Sequence, residues 1–147
     1  MRLFIFCILA VMTLPLKQAA AQVTITQIQS LSFGSMIADP TGDTIRVRRN
    51  GSIRAQNGTI LDGGHQPAMF EFNGPRNTSV SYSFSVGNVL SNGNTTISLE
   101  NFNARPNSPF TIRRRPRILT IGADLIIPPS IQGGSYSGTY LIILDNQ

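Results

Sequence analysis

Residues 79–86 read Ser79-Val80-Ser81-Tyr82-Ser83-Phe84-Ser85-Val86. Every second residue is apolar, and the residues between are serines. In an extended chain successive side chains leave on opposite faces, so this octet has one greasy face and one hydroxyl face. A helix would scatter the same residues around its circumference and leave no apolar stripe. The octet predicts a strand with Val80, Tyr82, Phe84 and Val86 on a core and its serines in water.

The same period recurs on both sides of it. Val23 and Ile25 alternate with Thr24 and Thr26, and Leu31 and Phe33 with Ser30 and Ser32. Ile45 and Val47 alternate with Thr44, Arg46 and Arg48, Phe70 and Phe72 with Met69, Glu71 and Asn73, and Ile97 and Leu99 with Thr96, Ser98 and Glu100. Two runs, Ile118–Ile127 and Tyr136–Leu144, are longer and richer. In the second, Leu141 and Ile143 are apolar in addition to Tyr140, Ile142 and Leu144, which predicts a central strand covered on both faces. Turn formers separate the runs: Asp39-Pro40-Thr41-Gly42, Asn50-Gly51, Asn57-Gly58, Asp62-Gly63-Gly64, Asn73-Gly74-Pro75, Asn92-Gly93, Pro128-Pro129 and Gly133-Gly134. Asn-Gly and Gly-Gly supply the positive φ that tight hairpins need. The spacing predicts an all-β sandwich or barrel of eight to ten strands, with no helix longer than a turn. Its expected core is Leu31, Phe33, Ile45, Val47, Phe70, Phe72, Val80, Tyr82, Phe84, Leu119, Ile121, Leu125, Tyr140 and Ile142.

The beginning of the chain obeys a different pattern. Arg2 precedes an apolar run from Leu3 to Leu14, then Pro15 and Ala19-Ala20-Ala21 before Gln22. This is the pattern of a secretory signal peptide cut between Ala21 and Gln22. The run is shorter than the roughly 20 residues a membrane helix needs, and no later stretch is long enough, so no transmembrane segment is expected after leader removal. The expected organisation is a leader, 1–21, and one domain, 22–147. Losing 21 of 147 residues removes Arg2, Lys17 and Cys7. Ten basic residues, all arginine, then face seven acidic ones, a net charge of +3. With no cysteine left, a disulfide framework is excluded and stability must come from an apolar core.

Arginine is the one strong charge signal. Arg113, Arg115 and Arg117 share a face if their segment is extended, and Arg46 and Arg48 point away from Ile45 and Val47. Either these are solvated strand faces that discourage edge pairing, with Pro116 removing a ladder donor, or they bind an anionic polymer. Specific nucleic-acid binding is not expected, because a groove-reading element or a stacking aromatic platform is wanting. His65 stands alone in a loop sequence and makes neither a triad nor a zinc site. Glu71 and Glu100 fall on the polar phase of their strands. Asp39, Asp43 and Asp62 fit Asx turns better than a calcium loop. No metal and no cofactor is expected.

Four segments carry a resemblance. Leu31-Ser32-Phe33-Gly34, Pro67-Ala68-Met69-Phe70-Glu71-Phe72-Asn73-Gly74, Leu119-Thr120-Ile121-Gly122-Ala123-Asp124-Leu125 and Gly134-Ser135-Tyr136-Ser137-Gly138-Thr139-Tyr140 resemble, in order, the motifs of bacterial domain-of-unknown-function family 4402. Ala123 stands where that family usually has glycine. The last motif is the most specific, and spore-coat-U-like and pilin-like proteins share a version of it. The resemblance implies an exported antiparallel β-sandwich of immunoglobulin-like or pilin-like type in a Gram-negative bacterium, with no established catalytic residue and no cofactor. Pilin subunits receive a strand from a neighbour's N-terminal extension, a case of strand addition. Val23 and Ile25 would be the strand-exchange positions here, although Gln22–Gln29 also fits the domain's own first strand. Asn146 stands where pilins usually have a penultimate tyrosine.

The expectation is therefore an exported, non-enzymatic structural or adhesion-type surface protein, in its specific form a minor fimbrial subunit. Its residence would be the periplasm, outer surface or fimbrium, and its partners other copies or pilin-like subunits. The alternative is a monomeric periplasmic or surface module that binds anionic glycans or lipopolysaccharide through Arg46, Arg48, Arg113, Arg115 and Arg117.

Overall fold

The computed structural model describes residues 22–113 and 116–146; Ala21 and Arg115, both singled out in the sequence, lie outside the described residues. The fold is all-β. Its strands are β1 (Thr24–Gln29), β2 (Ser32–Ile37), β3 (Asp43–Val47), β4 (Ile53–Ala55), β5 (Ile60–Gln66), β6 (Ala68–Asn73), β7 (Ser79–Phe84), β8 (Asn88–Ser91), β9 (Thr96–Arg105), β10 (Phe110–Thr111), β11 (Arg117–Ile127) and β12 (Ile142–Asn146). There are more than the eight to ten expected because short pieces such as β4 and β10 carry too few residues for a visible period.

All pairings are antiparallel, and β11 organises them. On one side it pairs with β9, which pairs with β8. On the other side its first half pairs with β6 and its second half with β3. β1 flanks β6, and β4 flanks β3. Two smaller sheets, β10-β7-β12 and β2-β5, complete a sandwich-like arrangement. Val80 of β7 packs with Phe72, Leu119 and Ile121, while Phe33 of β2 packs with Ile45, Val47, Leu99 and Leu125.

The handover from β3 to β6 along β11 depends on Gly122. A β carbon there would collide with the Val47 carbonyl oxygen and come within 2.8 Å of the Arg49 nitrogen. Opposite this point β9 carries a bulge between Gly122 and Asp124. Asn101 takes a left-handed φ of 49° inside it, a conformation asparagine tolerates better than most residues.

The core is largely the expected one. Phe33, Ile45, Val47, Phe72, Val80, Leu119, Ile121 and Leu125 are buried, and Leu31, Phe70, Tyr82, Phe84, Tyr140 and Ile142 are half-buried against them. Ala68, Ile97, Leu99, Phe110, Ile112, Ala123 and Ile127 join the buried set. The Phe72 and Phe110 rings meet edge to face at 5.3 Å, and Phe84 stacks on Phe102 at 4.7 Å.

Four expectations are corrected. The last run is not a central strand: among the described residues β12 pairs only with β7, and Leu141 and Ile143 face outward, 66% and 58% exposed. The central strand is β11. Val86 is not inward but 96% exposed, because β7 ends at Phe84 and the chain turns through Gly87 at φ 71°. Asp62-Gly63-Gly64-His65 is not a loop but part of β5, where Asp62 is the extra residue of a bulge opposite Ser35 and Met36 and the two glycines at positive φ bend the strand beside it. Arg113 and Arg117 do not share the face of one strand. Between Thr111 and Arg117 the chain passes from the three-stranded sheet to the larger one, anchored by fully buried Ile112.

Candidate functional site

A groove of about 920 Å³ opens into the sandwich beside β2. One wall is Leu31–Ala38, eight consecutive residues, and the other is Ile131–Gly138 with Tyr140. Alternate residues of a strand point to opposite faces, so a cavity that touches all of them runs along the strand's edge. The floor is Leu90, Ile97, Leu99, Leu125 and Ile127, from β8, β9 and β11. These residues belong to, or pack against, the buried core of that half of the molecule. The groove is thus an opening onto core side chains between two backbone edges. Among the described residues, β2 pairs only with β5 and β12 only with β7.

Local chemistry explains both walls. Gly34 sits at φ 74°, where a β carbon would collide with the Gly63 carbonyl. The Ser32 hydroxyl donates to the Gly64 carbonyl at 3.0 Å and accepts from the Gly34 N–H at 3.1 Å, fixing the wall. On the other side Ser91 and Ser137 exchange both backbone hydrogen bonds, at 2.8 and 3.0 Å. That pairing docks the 131–140 segment onto β8. A β carbon on Gly138 would collide with the Val89 carbonyl. The Tyr136 hydroxyl donates to the Gln132 carbonyl at 2.8 Å. The Tyr140 hydroxyl is shut from solvent without a hydrogen-bond partner, and burial pushes its pKa up to about 12. It stays protonated at physiological pH.

The arginines fall into separate groups. Arg46 aligns with Arg54, Asp124 and Glu100 across four strands. Its guanidinium grips the Asp124 carboxylate with two donors, each at 2.6 Å. Asn101 adds a third donor to Asp124 at 3.1 Å. Burial pushes the Asp124 carboxyl up, but the Arg46 and Asn101 donors outweigh it and hold the group below the usual carboxylate range. Arg48 is exposed at the 48–51 turn. Arg113 is exposed outside β11, and Arg117 is exposed at the far end of that strand, seven residues from Asp124. That is about 23 Å along the strand. Glu71 lies opposite Ile118 and Glu100 opposite Asp124, so these carboxylates are also apart. Val23 packs on the core beside Gly74, and Ile25 lies opposite Phe72, as parts of the domain's own edge strand β1. Among the described residues, no group of three or more His, Cys, Asp or Glu side chains could hold a metal ion, and no helix is long and apolar enough to cross a membrane.

The family profile described as "Domain of unknown function (DUF4402)" matches residues 23–145. The chain belongs to this family. No curated protein and no solved structure matches it. In this DUF4402 chain, two of the segments that carry the sequence resemblance are the groove's two walls. Leu31-Ser32-Phe33-Gly34 lies on one side and Gly134–Tyr140 on the other. The Gly122 segment positions the floor through β11. The sequence did not disclose the groove, because alternation says which face of a strand is apolar but not which edges remain free.

Proposed function

We propose that this DUF4402 protein is an exported, non-enzymatic structural or adhesion-type surface subunit that accepts an extended strand in the groove beside β2. The observation that carries this reading is the groove itself. Its floor is core, and one wall is β2, which among the described residues pairs only with β5 and so leaves an edge open. Apolar surface left in water is unfavourable by roughly 25 cal/mol per Å², and a free strand edge is a template for pairing with another chain. An extended segment with alternating apolar side chains answers both, as in other strand-addition complexes. The leader-like start of the chain supports export, and the fimbrial form of this reading places the protein on the surface of a Gram-negative bacterium.

The test is assembly. Sheared surface fractions of the producing cells should contain the chain, and unboiled gels should show a ladder that collapses to monomer on boiling. Monomer in both, with the groove accessible, refutes the reading. The alternative, a monomeric module for anionic glycans, has less support. Arg46 is committed to Asp124, and Arg117 stands at the opposite end of β11 from that pair.

A further inference from the structure

We infer that Asn92-Gly93, in the turn between β8 and β9, is a self-modification site. There the Gly93 nitrogen closes on the Asn92 side chain to form a succinimide, which water opens to aspartate or its β-linked isomer. The chain contains four Asn-Gly pairs, starting at Asn50, Asn57, Asn73 and Asn92. Glycine lacks the β carbon that hinders such a closure, so the dipeptide itself favours none of the four. Their surroundings decide. The closing nitrogen must lose a proton, and the Asn oxygen must carry the charge that develops as the ring forms. A proton acceptor on the first and hydrogen-bond donors on the second lower the barrier.

Asn92 has both. The Gly93 N–H donates to the Ser91 hydroxyl at 3.0 Å, an acceptor that can relay the proton to water. The Asn92 Oδ1 accepts the Asn94 N–H at 3.0 Å and the Thr95 N–H at 2.8 Å. Gly93 is exposed, with open space where a β carbon would stand. The Asn50 Oδ1 also accepts two donors, from Ser52, but the Gly51 N–H is held at 2.8 Å by the Arg48 carbonyl, which has no proton to pass on. The Asp39 carboxylate accepts the Gly58 N–H, yet the Asn57 amide is pinned at 2.8 Å to the Gly42 carbonyl. The Asn73 amide is pinned at 2.7 Å to Glu71, and Gly74 is buried against Ile112 and Val23.

In the first step the bond from Gly93 N to Asn92 Cγ forms and the bond from Cγ to Nδ2 breaks. Ammonia leaves with the Gly93 proton. Water then adds across one of the two imide C–N bonds. The product carries a new negative charge and, in the β-linked isomer, one more methylene in the main chain. Next to it, Ser91 and Ser137 exchange the backbone hydrogen bonds that dock the 131–140 wall. A β carbon on Gly134 of that wall would stand 3.3 Å from Asn92 Nδ2. The reaction therefore loosens one wall of the groove, whatever fills it.

The experiment ages the folded exported chain in weakly alkaline buffer, with a parallel sample in denaturant, and follows the four sites by peptide-mapping mass spectrometry. In the folded chain Asn92 should convert ahead of the other three, and in denaturant that lead should vanish. Ser91→Ala should slow conversion at Asn92, Ser91→Thr should restore it, and Asn92→Gln should abolish it. The Ser137 amide should exchange faster in the aged protein. A folded chain in which Asn50, Asn57 or Asn73 keeps pace with Asn92, a lead that persists in denaturant, or an unchanged rate in Ser91→Ala overturns the inference. The comparison of folded and denatured samples needs no substitution, so a Ser91 variant that fails to fold does not protect it.

Discussion

Among the described residues Asp43 and Asp124 are the two buried carboxylates, and each is surrounded by donors. Asp43 accepts backbone N–H groups from Gln56, Asn57 and Thr59 at 2.8–3.1 Å, tying the β4–β5 turn to the start of β3. Burial pushes its carboxyl up, but the Thr59 hydroxyl and the N–H groups of Asn57, Thr59 and Thr44 hold it below its ordinary value of 3.8. Asp124 is lowered in the same direction. A depressed folded pKa means that the unfolded chain takes up protons first as the pH falls. The stabilisation is therefore full well above the ordinary value of 3.8 and is lost progressively as the pH falls below that value through the lowered folded one. Urea midpoints should be flat from pH 7 to 5 and then drop steeply, and Asp124→Asn should lower the plateau and soften the drop. Asp43→Ala strands several buried N–H groups and should cost about 3 kcal/mol in the same assay. None of this was visible in sequence, because Arg46 and Asp124 are 78 positions apart. Asx-turn chemistry did describe Asp39, whose carboxylate accepts the Thr41 N–H at 2.8 Å.

Among elements, β11 and β12 show what alternation reveals and what it hides. Most strands were legible because one face is covered and the other wet. β11, legible as the rich run Ile118–Ile127, is buried almost throughout, Gly122-Ala123-Asp124 at its middle included. β12 reads as doubly apolar but lies at an edge with Leu141 and Ile143 outside. The β12 error has a plain cause: period-two patterns report local faces, and sheet order depends on distant partners. Gly122→Ala should cost about 1–3 kcal/mol in thermal or urea unfolding, since the β3 backbone must move to admit a methyl group. Phe72→Ala should cost about 3–5 kcal/mol, as a fully buried ring facing Phe110 is removed. A Gly122→Ala chain as stable as its parent would show that the β3–β6 handover is loosely packed.

For the whole molecule, the arginine-rich surface and the open groove make different demands. Exposed charges act at long range and are screened within about 8 Å at physiological salt. Arg113→Ser with Arg117→Ser should therefore lower the salt needed for elution from an anionic matrix only slightly and leave assembly unchanged. Loss of assembly in that variant would move the functional surface to the arginines. The central claim is that the groove between β2 and residues 131–140 presents open backbone edges that a strand from another chain completes. Amide hydrogen exchange of monomer and assembled protein measures those edges directly. The account predicts fast exchange at groove-facing amides of both walls in the monomer and strong protection on assembly, with β11 slow in both. Walls already slow in the monomer, or unchanged on assembly, would contradict it.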